Sequence, residues 1–291
     1  MLRDLIRLLR VHQWVKNLLV FVSPLLGHAL AQAGALAHAC AVFGAFCAAA
    51  SGVYIINDLF DLQSDRAHPR KRDRPFASGR LPLGLGVLGP LLMLLGVLMA
   101  RVVSPVAGAT VAGYAVISLS YSAFFKTKPL VDIFVLSMLY TVRLFAGQVA
   151  LHIEPSMWLL SFSSFLFLAL AFLKRYAEFQ GIAASGTSYE TRRGYSHKDV
   201  ELLRTMGIAC TFASAVVLSL YVNSEKPVAM NANAQLLWGT VPILLFWQAR
   251  MWMAASRGFM ADDPIVYAAK DWVSQLCLAL IVGVSAAAVY L

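Results

Sequence analysis

Charge is scarce in this sequence. Asp, Glu, Lys and Arg make up 13% of its 291 residues, against about 25% in a typical soluble domain. With 59% hydrophobic residues and a mean hydropathy of +0.70, that scarcity excludes an ordinary soluble domain. Acids are the rarer sign, 15 against 24 Lys and Arg. The basic excess sits in loops between apolar segments and forms no domain of its own, which argues against nucleic acid as a partner. The four cysteines, Cys40, Cys47, Cys210 and Cys277, include no CxxC pair and all lie in apolar stretches. They read as buried reduced thiols rather than a disulfide framework or a thiolate metal site. Low-complexity segments are absent. So is the alternating pattern of a transmembrane barrel, which leaves helices as the only spanning structure. The opening MLRDLIRLLRVHQWVK has no small-residue cleavage site after a short apolar core. It is expected to be a retained, basic interfacial helix.

What is abundant is apolar sequence in runs of about 20 residues, the length that crosses a bilayer. About nine such spans are expected, near 17–34, 36–57, 82–103, 105–125, 129–150, 157–176, 205–223, 235–254 and 271–291. They make one all-α membrane domain over 1–291, with no room for a second soluble domain. Charge orients it. Four Lys and Arg precede the first span, six follow the second, two the fourth, six the sixth and three the eighth, 21 of the 24 in all. The positive-inside rule then places the N-terminus in the cytoplasm and the C-terminus outside. The long charged loops 58–81 and 177–204 fall on that same face, where chemistry would be placed.

The strongest motif is Asn57-Asp58-Leu59-Phe60-Asp61-Leu62-Gln63-Ser64-Asp65, at the end of the second span. At about 100° per residue, a continuing helix brings Asn57, Asp58, Asp61 and Asp65 within about a quarter turn. Three carboxylates and an amide on one face need neutralising. Mg²⁺ fits, because it takes oxygen ligands and bridges one or two carboxylates to substrate phosphates. The site thus expected uses Asn57, Asp58, Asp61 and Asp65 as metal ligands, with Asp58, Asp61 and Asp65 as the catalytic carboxylates. Downstream lie His68, Lys71 and Arg74, suited to the remaining phosphate charge. Pro69 and Pro75 break the helix, so this basic stretch is expected to fold back over the acidic face. A solvated, topology-setting loop explains the basic residues equally well, but not the one-sided acids.

A second cluster, Lys174-Arg175-Tyr176-Ala177-Glu178, ends the sixth span. Lys174, Arg175 and Glu178 share an arc of about 100°. They read as a substrate-binding face or as snorkelling anchors. Arg192 and Arg193 are candidates for a phosphate or simply border the membrane. Asp132 and Arg143 lie eleven residues apart on one face of the fifth span, where charge is costly and functional by default; pairing inside the bundle is the alternative. The segment from Gln13 to Asn17 pairs an aromatic anchor with donors, and reads as an interface belt or a substrate contact through Lys16 and Asn17. Asp262-Asp263-Pro264 is either a second acidic site or a helix N-cap with Pro at its first position.

Together these residues resemble the UbiA superfamily of intramembrane prenyltransferases. NDLFDLQSDRAHPRKRDRPFASG is similar to its first aspartate-rich motif, and the His-Pro, Lys and Arg-Pro placements look like its decaprenyl-phosphate phosphoribosyltransferase branch. HQWVKN at 12–17, YS with the lysines at 121–128, KRYAEF at 174–179, RRGY at 192–195 and DDPIVYAAKD at 262–271 extend the likeness along the chain. The resemblance implies a UbiA-type bundle of about nine transmembrane helices around a central cavity that opens sideways to lipid. It carries metal binding onto Asn57, Asp58, Asp61 and Asp65, and substrate binding onto Lys71, Arg74, Lys174 and Arg175. Lys126, Tyr176 and Glu178 join the expected substrate-binding set. One departure matters. A second aspartate-rich motif usually follows the sixth span, and here Glu178 is the only acid in KRYAEF, which makes prenyl-diphosphate chemistry less fitting.

The expected activity is Mg²⁺-dependent transfer of 5-phosphoribose from phosphoribosyl diphosphate (PRPP) to a polyprenyl phosphate, with release of diphosphate. Its product would supply arabinofuranose or ribofuranose for cell-envelope glycan. The expected setting is the bacterial inner membrane, among membrane lipids, with a separate downstream phosphatase as a partner. The resemblance includes relatives with an extra phosphatase-like N-terminal domain, which is not expected here. Homo-oligomerisation is left open. The rival enzyme reading joins a prenyl diphosphate to an aromatic acceptor. A transporter, the rival of another class, predicts mid-membrane charges and inverted repeats, whereas here the ionisable residues crowd one face.

Overall fold

The computed structural model describes residues 2–27, 29–67, 71–154, 156–185, 194–260 and 263–290. Among them the regular structure is helical and no strand occurs. The helices run α1 (Leu2–Leu9), α2 (Val22–Leu26), α3 (Ala35–Phe60), α4 (Leu62–Ala67), α5 (Leu88–Val103) and α6 (Pro105–Ala123). They continue with α7 (Val131–Ala150), α8 (Met157–Ser185), α9 (Val200–Val222), α10 (Glu225–Met230), α11 (Thr240–Ser256), α12 (Pro264–Lys270) and α13 (Trp272–Tyr290).

Seven helical stretches among the described residues are long and apolar enough to cross a membrane, and they fall on α3, α5, α6, α7, α8, α9 and α13. Two of the nine expected spans take another form. The span near 235–254 is divided between a 3₁₀ segment, Ala234–Gly239, and the 17-residue α11. The first expected span is not one helix but a 3₁₀ segment, Val11–Phe21, followed by the short α2 and the 3₁₀ turn Ala29–Ala31. Apolar length alone does not reveal how a backbone winds.

The chain groups into two compact units, Met1–Phe125 with Val142–Glu154, and Lys126–Thr141 with Pro155–Leu291. In the first unit, α3 and α5 approach until their backbones touch. A Cβ on Gly96 would lie 2.5 Å from the Ala45 carbonyl oxygen. Small residues at such contacts replace the hydrophobic drive that lipid does not supply. The irregular first segment is tied down by polar groups. Trp14 Nε1 donates to Ser51 Oγ (3.1 Å), Ser51 Oγ donates to the Leu9 carbonyl (2.9 Å), and Ser23 Oγ donates to the Leu144 carbonyl (3.2 Å). Gly147 of α7 meets the same segment: a Cβ there would lie 2.0 Å from the Val20 carbonyl oxygen. Arg143, 4% exposed, donates from Nε to Asn17 Oδ1 (2.8 Å) and from Nη2 to the Tyr114 hydroxyl (3.0 Å). Its guanidinium also lies 4.7 Å from the Tyr114 ring centroid, a cation–π contact that lowers the cost of a buried cation. Thus Arg143 serves internal packing, the alternative the sequence left open.

In the second unit, α8, α9 and α11 are joined by buried polar contacts. Trp252 Nε1 donates to Thr211 Oγ1 (3.0 Å), and Gln248 Nε2 donates to Ser214 Oγ (3.0 Å). The Trp252 ring packs on Tyr176 at 5.8 Å. Asp263 caps α12 by accepting from the Ile265 N–H, with Pro264 at the first helical position, so the N-cap reading of this aspartate holds. Asp262 lies outside the described residues.

Candidate functional site

The acidic motif sits where α3 passes into α4. The helix assignment breaks at Asp61, yet the hydrogen-bond ladder runs on: Asp61 N–H donates to the Asn57 carbonyl (2.9 Å) and Asp65 N–H to the Asp61 carbonyl (2.8 Å). Helical register is therefore kept across the junction. Asp58 and Asp65 are buried, 3% and 1% exposed. Ion pairs offset that burial. Arg74 Nη1 donates to Asp58 Oδ1 (3.1 Å) and to Asp65 Oδ2 (2.6 Å). Arg10 Nη2 also donates to Asp58 Oδ1, while its guanidinium lies 4.8 Å from the Tyr54 ring centroid. Phe76 helps fix the returning loop, packed in a buried cluster with Leu8, Ile55 and Leu81. The basic stretch thus folds back over the acidic helix face. Arg10 was not singled out in the sequence; it lies 48 positions from Asp58, and only the amphipathic pattern around it hinted at an inward side.

The oxygens suit a hard cation. Asn57 Oδ1 and Asp65 Oδ1 are buried and accept no hydrogen bond, an arrangement that costs free energy unless another ligand answers it. Both belong to the expected metal set. Among the described residues, no three His, Cys, Asp or Glu side chains converge as a cage. Asp58, Asp61 and Asp65 are therefore not gathered into a three-carboxylate cage; Arg74 bridges two of them, Asp58 and Asp65. Asn57, Asp58 and Asp65 are the side chains best placed to hold such a cation, with Asp61 beside them at the junction.

The 174–178 cluster lies in the second unit, and its two cations differ. Lys174, with a side chain 24% exposed, pairs with Asp263 Oδ2 at 2.8 Å. Tyr140 donates its hydroxyl to the same carboxylate (3.1 Å). Arg175 is 1% exposed and is turned inward. Its Nε donates to Asp132 Oδ2 and its Nη1 to Glu178 Oε2 (2.6 Å). Asp132 is fully buried and also accepts from the Tyr195 hydroxyl at 2.6 Å. That hydroxyl in turn accepts from the Leu130 N–H (2.7 Å), whose backbone is left-handed at φ 65°. Burial, and then the bond to Asp132, keep the Tyr195 phenol protonated beyond the ordinary tyrosine range.

Other expected contacts are spread out. Lys16 is 8% exposed, and Asn17, 1% exposed, also donates from Nδ2 to Cys47 Sγ at 3.3 Å. Lys71 is exposed and Lys126 partly so, whereas Tyr176 is buried at 4%. His68, Arg192 and Arg193 lie outside the described residues.

Residues 19–263 match the UbiA prenyltransferase family. The chain is 35% identical over 281 residues to the uncharacterized protein y4nM of Sinorhizobium fredii, covering 96% of this chain but 54% of that protein. It thus spans about half the length of that relative. It is 32% identical over 295 residues to the decaprenyl-phosphate phosphoribosyltransferase of Mycolicibacterium smegmatis, covering 98% of this chain and 92% of that one. Among solved structures, a UbiA homolog from Archaeoglobus fulgidus bound to GPP and Mg²⁺ superposes with a TM-score of 0.72. It shares 15% identity and the match covers 99% of this chain and 100% of that one. At that identity the likeness speaks for the fold alone.

Proposed function

Because this chain belongs to the UbiA prenyltransferase family, as a multi-pass membrane protein, we propose that it transfers 5-phosphoribose from PRPP to a polyprenyl phosphate. The observation that carries this reading is the pair of buried, unanswered oxygens, Asn57 Oδ1 and Asp65 Oδ1, with Arg74 bonded to Asp65 and Asp58 and Arg10 bonded to Asp58. That is a place for a cation and for phosphates together. The likeness over nearly its whole length to a named phosphoribosyltransferase supports the choice of donor. So does the single acid in KRYAEF, which leaves one carboxylate where prenyl-diphosphate chemistry calls for several.

In this reaction the bond from the ribose anomeric carbon to diphosphate breaks. A new bond forms from that carbon to a lipid phosphate oxygen, with inversion. Asn57, Asp58, Asp61 and Asp65 would hold Mg²⁺, which would stabilise diphosphate as a leaving group. Arg74 and Lys71 meet phosphate oxygens, Arg in a forked geometry and Lys as a point charge. Lys174 and Lys126, with His68, Arg192 and Arg193, are proposed to complete the binding surface, and Lys16 and Asn17 to border it. The attacking phosphate is already ionised at neutral pH and needs no strong base. The excess of Lys and Arg in the loops supports a site on the cytoplasmic side of a bacterial inner membrane.

Purified protein with labelled PRPP, Mg²⁺ and polyprenyl phosphate should yield labelled lipid. Asp61→Ala should lower the rate by about a hundredfold, the typical cost of losing one electrostatic stabiliser. An unlabelled lipid fraction, or unchanged turnover in Asp61→Ala, would remove the proposal. Turnover with a prenyl diphosphate and an aromatic acceptor instead would assign prenyl transfer.

A further inference from the structure

Asparagine is rare in this chain and unevenly placed. Three of its five, Asn223, Asn231 and Asn233, fall within eleven residues, and Gln235 and Trp238 follow them. All five of these side chains line one cavity of about 490 Å³ in the second unit, where the end of α9 meets α10 and the 3₁₀ segment Ala234–Gly239. Ligand sites occupy about 300–1,000 Å³. The cavity is remote from the charged stretch that opens α9. That helix runs from Val200 to Val222, about 33 Å at about 1.5 Å per residue, with Lys198 and Asp199 before its first residue and the cavity at its last. In the orientation proposed above, this is the outer side.

The floor of the cavity is fixed. Val222 lines it and is buried in one cluster with Leu237 and Ala288. The Asn233 N–H donates to the Ala288 carbonyl (3.0 Å), and Asn231 Nδ2 donates to the Pro227 carbonyl (2.7 Å). An irregular turn is thus tied to α9, α10 and α13. The walls have a chemical bias. No described residue that lines the cavity is ionisable. An amide side chain carries two N–H donors and a carbonyl acceptor, which match hydroxyls, since each hydroxyl both donates and accepts. A phosphate or carboxylate would bring a charge that nothing there answers. Trp238, 44% exposed, offers a flat apolar face with negative π density, and the C–H face of a sugar ring suits it. An interface belt accounts for a tryptophan at this depth, but not for four amides on the walls of the same cavity.

We infer that this cavity binds a neutral saccharide, with its hydroxyls on the amides of Asn223, Asn231, Asn233 and Gln235 and its ring against Trp238. A free glycan and the headgroup of a glycolipid share this chemistry. The inference does not depend on the reaction proposed above.

The test uses the full chain in phosphatidylcholine nanodiscs, prepared without glycoside detergents. One arm follows methyl galactoside by saturation-transfer NMR. The other places galactosyl diacylglycerol in the nanodisc and counts retained lipid by native mass spectrometry. Binding in the first arm assigns a free glycan, and binding in the second alone assigns a glycolipid. In whichever arm binds, Gln235→Leu and Asn223→Leu should each weaken affinity about two- to tenfold, the scale of one hydrogen bond, and Trp238→Leu at least as much. The two amide variants alter exposed side chains and keep the test open if Trp238→Leu fails to fold. Galacturonate, the same ring with a carboxylate, should bind more weakly than the galactoside in the first arm. Binding in neither arm, affinity unchanged in all three variants, or galacturonate bound as tightly as the galactoside overturns the inference.

Discussion

Replacing Arg74 by Gln removes the cation shared by Asp58 and Asp65. Its Nη1 lies 3.1 Å from Asp58 Oδ1 and 2.6 Å from Asp65 Oδ2. At an effective dielectric of about 20, unit charges about 3 Å apart attract by roughly 5 kcal/mol. Losing the desolvation cost of Arg74, whose side chain is 27% exposed, offsets part of this. The two carboxylates then fare differently. Asp58 keeps Arg10. Asp65, 1% exposed, loses the guanidinium on Oδ2, and its Oδ1 already accepts nothing. A buried charged group left without its partner costs about 2–3 kcal/mol. At about 2–4 °C per kcal/mol, the melting temperature in detergent should fall by about 5–10 °C. Asp65→Asn placed in the Arg74→Gln protein should restore most of the loss; Asp58→Asn should not. Millimolar Mg²⁺ should raise the melting point of Arg74→Gln more than that of wild type, since the cation no longer competes with a guanidinium, and saturation at a hundred times Kd is worth about 2.7 kcal/mol. Thermal unfolding with and without chelator reads all of this. Equal melting of Arg74→Gln and wild type, or rescue by Asp58→Asn as complete as by Asp65→Asn, would refute the reasoning.

Gly96→Leu should prise α3 from α5, because even its Cβ would stand 2.5 Å from the Ala45 carbonyl oxygen. Overpacking of this kind costs about 1–3 kcal/mol, measurable as a lower midpoint in denaturant with activity per folded molecule retained. The Tyr195 phenol is held protonated by burial and by Asp132. A folded pKa above the unfolded value of about 10 means that its stabilisation is complete below that pH and fades as pH rises through the higher folded value. Spectrophotometric titration of Tyr195→Phe against wild type should therefore lose one tyrosine that ionises late, not one that ionises near pH 10.

The acidic face was legible because helix geometry converts spacing into direction, and the register of Asn57, Asp58, Asp61 and Asp65 survives the break at Asp61. Asp263 was legible for a similar reason: a cap acts on the next turn of its own chain. Partners across long separations were not. Asp132 and Arg143 share a face of α7, yet Asp132 pairs with Arg175 and Tyr195 while Arg143 pairs with Asn17 and Tyr114. Nothing local specifies those choices. The burial of Arg175 was equally hidden, since two adjacent cations at a span end look alike until their carboxylates are placed. The form of the first span was hidden too, because hydropathy records what a residue prefers and not the winding that carries it.

That winding has a use. A 3₁₀ helix repeats every three residues and rises about 2 Å per residue, against about 1.5 Å for an α-helix. Over Val11–Phe21 it lines up Trp14, Asn17 and Val20 in a single file, and each meets a partner: Ser51, Arg143, and the bare backbone of Gly147. In an α-helix the same three would fan around more than a quarter of the circumference. The segment therefore presents one straight polar-and-backbone seam, and covers more depth per residue than the helices beside it.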